Sequence, residues 1–107
     1  MSRDKLYLDR IVDAVAKIES FTEEFDAESF GKDAKTQSAV ILQLMIIGEM
    51  SKRLSSETKL SINLPWKEIA GFRDRAIHDY FDIDLDIVWQ TVVSDIPLLK
   101  KSLKMGD

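Results

Sequence analysis

From Leu8 to Phe21 the apolar residues Leu8, Ile11, Val12, Val15, Ile18 and Phe21 recur at intervals of three and four. That spacing brings side chains to one face of a 3.6-residue helix, and it predicts a first helix from about Arg3 to Phe25. The next stretch, DAESFGKDA, loses the period and carries Asp, Ser and Gly, so it reads as a connection. A second helix follows from about Asp33 to Ser55. Its middle, Ala39 to Ile47, is apolar nearly all round apart from Gln43, which predicts burial on more than one side. In a small bundle such a helix is central, or it also forms a subunit interface.

SSETKLSINLP then reads as a polar connection ending at Pro65, a residue favoured at the first helical position. A short third helix is expected through WKEIAGFRDRAIH. The last helix is the clearest: Leu85, Val88, Trp89, Val92, Ile96, Leu99 and Leu103 form one stripe, and Asp84 is placed to cap it. Pro97 should kink this helix rather than end it, because the stripe continues beyond. Lys100, Lys101 and Lys104 crowd the final turns, where the helix dipole favours cations. No β-rich alternating segment and no internal repeat is present. The pattern predicts one all-α domain over residues 1–107, an antiparallel up-and-down helical bundle of four main helices.

Composition narrows the function classes. A chain of 107 residues supports one core. A net charge of −4 argues against a whole-surface grip on nucleic acid, so a polyanion would need a local basic patch. With no cysteine there is no disulfide framework, thiol nucleophile or thiolate metal site, which suits a reducing cytoplasm. The N-terminus, MSRDKLYLDR, has charges where a signal peptide needs an apolar run. The longest apolar tract, AVILQLMIIG, is about half a membrane span. A cytoplasmic protein with no membrane partner is expected.

The candidate chemistry lies in FRDRAIHDYF, residues 72–81, which holds the only histidine. On one straight helix, Arg73 and His78 would be about 140° apart, whereas Asp74 and His78 would share a face, as would Arg73 and Tyr80. A site using all of them needs a helix end near His78 or a second copy of the chain. Metal-free RNA cleavage requires a base for the 2′-hydroxyl, an acid for the leaving 5′-oxygen and a cation on the transition state. Histidine serves as acid or base near neutrality, a two-fold dimer supplies a pair, and arginine offers a planar fork for phosphate. The competing reading is plainer. Arg73, Asp74, Arg75 and Asp79 would form a surface charge network of little worth, and Tyr80 and Phe81 would be core aromatics.

The run IIGEMSKRL, and then LPWKEIAGFRDRAIHDYFDIDLDIVWQTVVSDIPLL, resembles the HepT-like branch of the HEPN superfamily. The family signature of Arg, a polar residue, a variable spacer, His, any residue and Tyr is met by Arg73, Asp74, His78 and Tyr80. Ile47-Gly48-Glu49, Pro65-Trp66, Ile69-Ala70-Gly71 and Val88-Trp89 match on its flanks, and the close likeness covers about residues 46–99. The resemblance implies a homodimer whose motifs face each other across a cleft. It implies a metal-independent endoribonuclease, the toxin of a type VII-like toxin–antitoxin module, with RNA as substrate, no cofactor and no metal. Arg73 and His78 would carry catalysis, supported by Asp74 and Arg75. Asp74 stands where these proteins often have Asn, and it repels phosphate where an amide would not. Tyr80 matches the tyrosine that a partner minimal nucleotidyltransferase, the antitoxin, adenylylates; added AMP would put charge and bulk into the cleft. The alternative is a non-catalytic HEPN dimer that binds a nucleotide or docks the nucleotidyltransferase.

Other residues read more plainly. DIDLD, 82–86, starts like a calcium loop but has Ile87 in place of the glycine and Val93 in place of the closing glutamate. Capping explains it better. Glu49 is expected as a satisfied structural carboxylate ahead of a role beside the site. Met45 and Met50 read as core or interface packing, and Trp66 and Trp89 as packing anchors. Lys52 and Arg53 read as helix solvation before a basic rim.

Overall fold

The computed structural model describes residues 3–104. Helix α1, Asp4–Thr22, buries Ile11, Ala14, Val15 and Ile18 on the expected stripe. Phe21, assigned to the same stripe, is exposed. The expected loop after it contains a helical turn, α2, Ala27–Phe30. Asp26 and Ser29 cap it reciprocally, each side chain accepting from the other's backbone N–H. Phe30, buried by this turn, stacks at a tilt on Trp89 with ring centroids 4.9 Å apart. Helix α3, Ala34–Arg53, starts at Asp33, whose side chain accepts from Thr36 N–H. The two long helices α1 and α3 share the largest interface in the molecule.

Burial along α3 departs from the pattern at one position pair. Gln43 is buried, while its neighbour Leu42 is 56% exposed. The single chain therefore covers α3 on the Val40, Leu44, Ile47 and Ser51 side and leaves Leu42 in solvent. The smallest extent of the molecule is 19 Å, about two helix layers, so no further layer lies over that face.

The second expected connection also holds a helix, α4, Ser56–Ser61, capped by Ser55. Its start is tied to the start of α1: Asp4 accepts from Ser55 N–H at 3.1 Å, from Ser55 Oγ at 2.5 Å and from the Thr58 hydroxyl. These bonds hold the Asp4 carboxyl below its ordinary pKa, the Ser55 hydroxyl foremost. Trp66 is buried, its indole N–H donating to the carbonyls of Ile62 and Lys59.

The expected third helix is three elements. Helix α5, Trp66–Ala70, stops at Gly71, and α6, Phe72–Ala76, restarts there. The chain then extends into β1, Ile77–Asp79, which pairs antiparallel with β2, Asp82–Ile83. The final helix opens as expected at Asp84, which accepts from Ile87 N–H. It runs as α7, Leu85–Gln90, a π-helical turn, Thr91–Asp95, and α8, Ile96–Ser102. The π turn is how Pro97 acts. Proline lacks the N–H for Val93 and its ring would strike that carbonyl, so the turn ahead widens and Ile96 N–H reaches back to Thr91. The architecture is all-α with one small ribbon, and the four expected helical runs are α1, α3, the α5–α6 corner broken at Gly71, and the α7–α8 run.

Candidate active site

Arg73 lies on α6, which follows α5 directly at Gly71; both pack on α3, the end of α5 against Gly48. A methyl group on Gly48 would sit 3.4 Å from the carbonyl of Ile69 and 3.5 Å from that of Ala70. Phe72 and Ala76, fully buried, fix the other side of α6, so Arg73, Asp74 and Arg75 face outward. The two arginines differ in what they touch. Arg75 Nη2 donates to the Glu68 carbonyl at 2.9 Å. It also lines a cavity of about 270 Å³ with Asp84, Asp86 and Asp95. Burial pushes the Asp95 carboxyl up, Arg75 pulls it partly back, and Glu68 adds to the rise. Among the described residues the Arg73 guanidinium makes no ion pair or side-chain hydrogen bond. Arg75 is thus tied to the fold through the Glu68 carbonyl, and Arg73 has no such tie.

α6 ends at Ala76, whose carbonyl accepts from Asp84 N–H at 2.7 Å. The helix end near His78, one of two routes that would let Arg73 and His78 cooperate, is therefore present. Ile77 and Ile83 pair at the base of the ribbon and pack on the core. Asp79 pairs with Asp82, so two steps along β1 answer one along β2. His78 is the extra residue, the bulge of the ribbon. Bulges bend a strand and re-aim a side chain, and His78 is exposed here. At the tip, Asp79 Oδ1 accepts from Phe81 N–H at 2.7 Å, an Asx turn that fixes the backbone. Tyr80 is 87% exposed and Phe81 99%. Neither is a core aromatic, which removes that part of the plainer reading.

The remaining sequence candidates fall into place. Glu49, expected as a satisfied structural carboxylate, is on the surface of α3, 3.4 Å from Lys52 Nζ. Lys52 is half-exposed beside it, and both line a narrow cleft with Met45, Gly48 and Arg73. The sequence offered this neighbourhood only as second readings, Glu49 beside the site and Lys52 on a basic rim, because the pattern along one helix does not show what packs across it. Met50 is in the core and Met45 half-buried. Among the described residues no group of acids and histidine is arranged to hold a metal ion, and no helix is long and apolar enough to cross a membrane.

The site is thus a helix corner presenting Arg73 without a side-chain partner, followed by a bulged His78 and an exposed Tyr80. Residues 11–105 match the model of the family described as HepT-like, ribonuclease HepT-like. The chain belongs to the HepT-like family. It is 48% identical over 97 residues to "Probable ribonuclease HepT" of Thermococcus cleftensis, covering 90% of this chain and 88% of that one. A "Putative RNase" of Caldanaerobacter subterraneus subsp. tengcongensis is 36% identical over 105 residues, 97% of this chain and 94% of the relative. A longer protein of Methanocaldococcus jannaschii, named "Gamma-glutamylcyclotransferase and putative RNase", is 39% identical over 92% of this chain, but the match spans only 45% of its own length. No solved structure matches the chain. HepT-like membership agrees with the all-α architecture.

Proposed function

We propose that this protein is a metal-independent endoribonuclease that works as a homodimer, with Arg73 and His78 of both copies facing one cleft. One His78 takes the proton of the 2′-hydroxyl as its oxygen bonds to phosphorus. The other gives a proton to the 5′-oxygen as the P–O5′ bond breaks. The products are a 2′,3′-cyclic phosphate and a free 5′-hydroxyl. Arg73 holds the phosphate oxygens through the transition state. Asp74 supports the site from the same turn, and Arg75 supports it by tying the corner to Glu68 and the acidic cavity.

The observation that carries this reading is the contrast between the two arginines. Only Arg73 is left without an internal partner, next to an exposed, bulged histidine, in a HepT-like chain. Leu42, exposed on α3 beside the half-buried Met45 and Ile46, supports the dimer as the apolar spot a second copy would cover. Tyr80 stands out at the ribbon tip, where a minimal nucleotidyltransferase would reach its hydroxyl. We assign Tyr80 as the adenylylated switch of a toxin–antitoxin pair. The acidic groups around the tip, Asp79 and Asp82, favour a second reading, a non-catalytic HEPN dimer that docks the nucleotidyltransferase. The test is incubation of the purified protein and its His78→Ala variant with single-stranded RNA in excess EDTA. Cleavage by the parent alone supports the enzyme; intact RNA with both supports the module.

A further inference from the structure

The chain is acidic overall, so an RNA strand needs a local basic track, and position relative to Arg73 decides which cations could build it. Lys5, Lys17, Lys32 and Lys100 pair with Asp9, Asp13, Glu28 and Glu19, as Lys52 does with Glu49. What sets Lys52 apart is its place. It lines the same cleft as Arg73, on the face of α3 that Gly48 lets approach the α5–α6 corner. Its ion-pair partner, Glu49, is 3.4 Å away and half-exposed, longer than a good charge-assisted hydrogen bond and of the surface class that contributes little. The cleft encloses about 10 Å³, room for about one water. It is too small for a nucleotide, so a strand would run across its mouth.

We infer that Lys52 is a phosphate-binding residue of the RNA track, holding a backbone phosphate beside the one at Arg73, and that Glu49 is its gate. In the free protein Glu49 occupies the ammonium; an arriving phosphate displaces it. Lys52 acts on binding and not on the bond that breaks. The inference rests on the ribonuclease reading, and it accounts for how a protein of net charge −4 engages a polyanion at this corner. The rival explanation is that Lys52 merely complements the C-terminal dipole of α3.

Binding and cleavage of a fluorescent single-stranded RNA oligonucleotide, measured across a salt series, test it. Lys52→Ala is expected to raise Kd and KM several-fold at low salt with kcat held, and to flatten the log Kd against log salt slope by about 0.7, one phosphate contact on a single strand. Lys52→Arg should restore the slope. Glu49→Gln should move the other way, tightening binding at low salt. An unchanged slope in Lys52→Ala, or a loss confined to melting temperature, overturns the inference and leaves the dipole role. Because binding is read separately from cleavage, a parent that binds without cutting would sink the ribonuclease reading while Lys52 is still judged by its slope.

Discussion

Arg73 and Arg75 are two residues apart and carry the same charge, yet the fold uses one and leaves the other open. Their difference was not legible in the sequence, because it depends on the Glu68 carbonyl and on Asp84, Asp86 and Asp95 arriving from other elements. Arg73→Lys is therefore expected to lower kcat by at least tenfold with the melting temperature held, since a point charge cannot reproduce a bidentate grip. Arg75→Ala should mainly lower the melting temperature; steady-state kinetics beside thermal melts separate the two. Tyr80→Phe should fold and cleave like the parent, because the ring is in solvent. It should escape inactivation by the nucleotidyltransferase with ATP and magnesium. Mass spectrometry placing AMP on Tyr7 instead would remove the switch from Tyr80. That tyrosine's exposure was one of two readings open in the sequence, and the ribbon decides between them.

At the scale of elements, the long helices were readable because their stripes and caps are local: Asp84 caps where the chain says it should, and the second helix opens at Asp33 as expected. The short ones were not. α2 and α4 each make little more than one turn, too few residues for a period to show, and their stability comes from caps and tertiary ties. The ribbon escaped for a similar reason. Its pairing covers Ile77 with Ile83 and Asp79 with Asp82, and a bulge breaks the alternation that marks a strand. The tie between Asp4 and the start of α4 makes a pH prediction. The folded carboxyl titrates below its unfolded value, so its contribution is present above the ordinary Asp pKa of about 4 and is lost as pH falls through the folded value. Thermal melts should show Asp4→Asn well below the parent at pH 7 and the gap closing in acid. A gap that stays constant down to pH 2 would mean the hydrogen bonds carry no charge-dependent stability. Asp95 has the opposite sign, raised by burial, and so partly offsets the acid loss in the parent.

The whole molecule is a slab two helices thick whose central helix keeps Leu42 in solvent. The apolar run in α3 pointed to a second covering surface, but which residue it would meet was hidden, because Gln43 turned inward and Leu42 outward against their polarity. Sedimentation at micromolar concentration should give twice the chain mass, and Leu42→Glu should shift it toward one chain as activity falls with it. That link between assembly and chemistry follows from one histidine per chain serving a reaction that needs both an acid and a base. The most direct measurement mixes Arg73→Ala with His78→Ala, each expected to be inactive alone, and follows single-stranded RNA in excess EDTA. Each copy then brings one intact group. In a shared cleft no mixed dimer holds both histidines, so the account predicts products ending in 2′,3′-cyclic phosphate from the parent and no recovery to the parent's rate from the mixture. Parent cleavage that stops on chelation and returns with magnesium, or full recovery in the mixture, would contradict it.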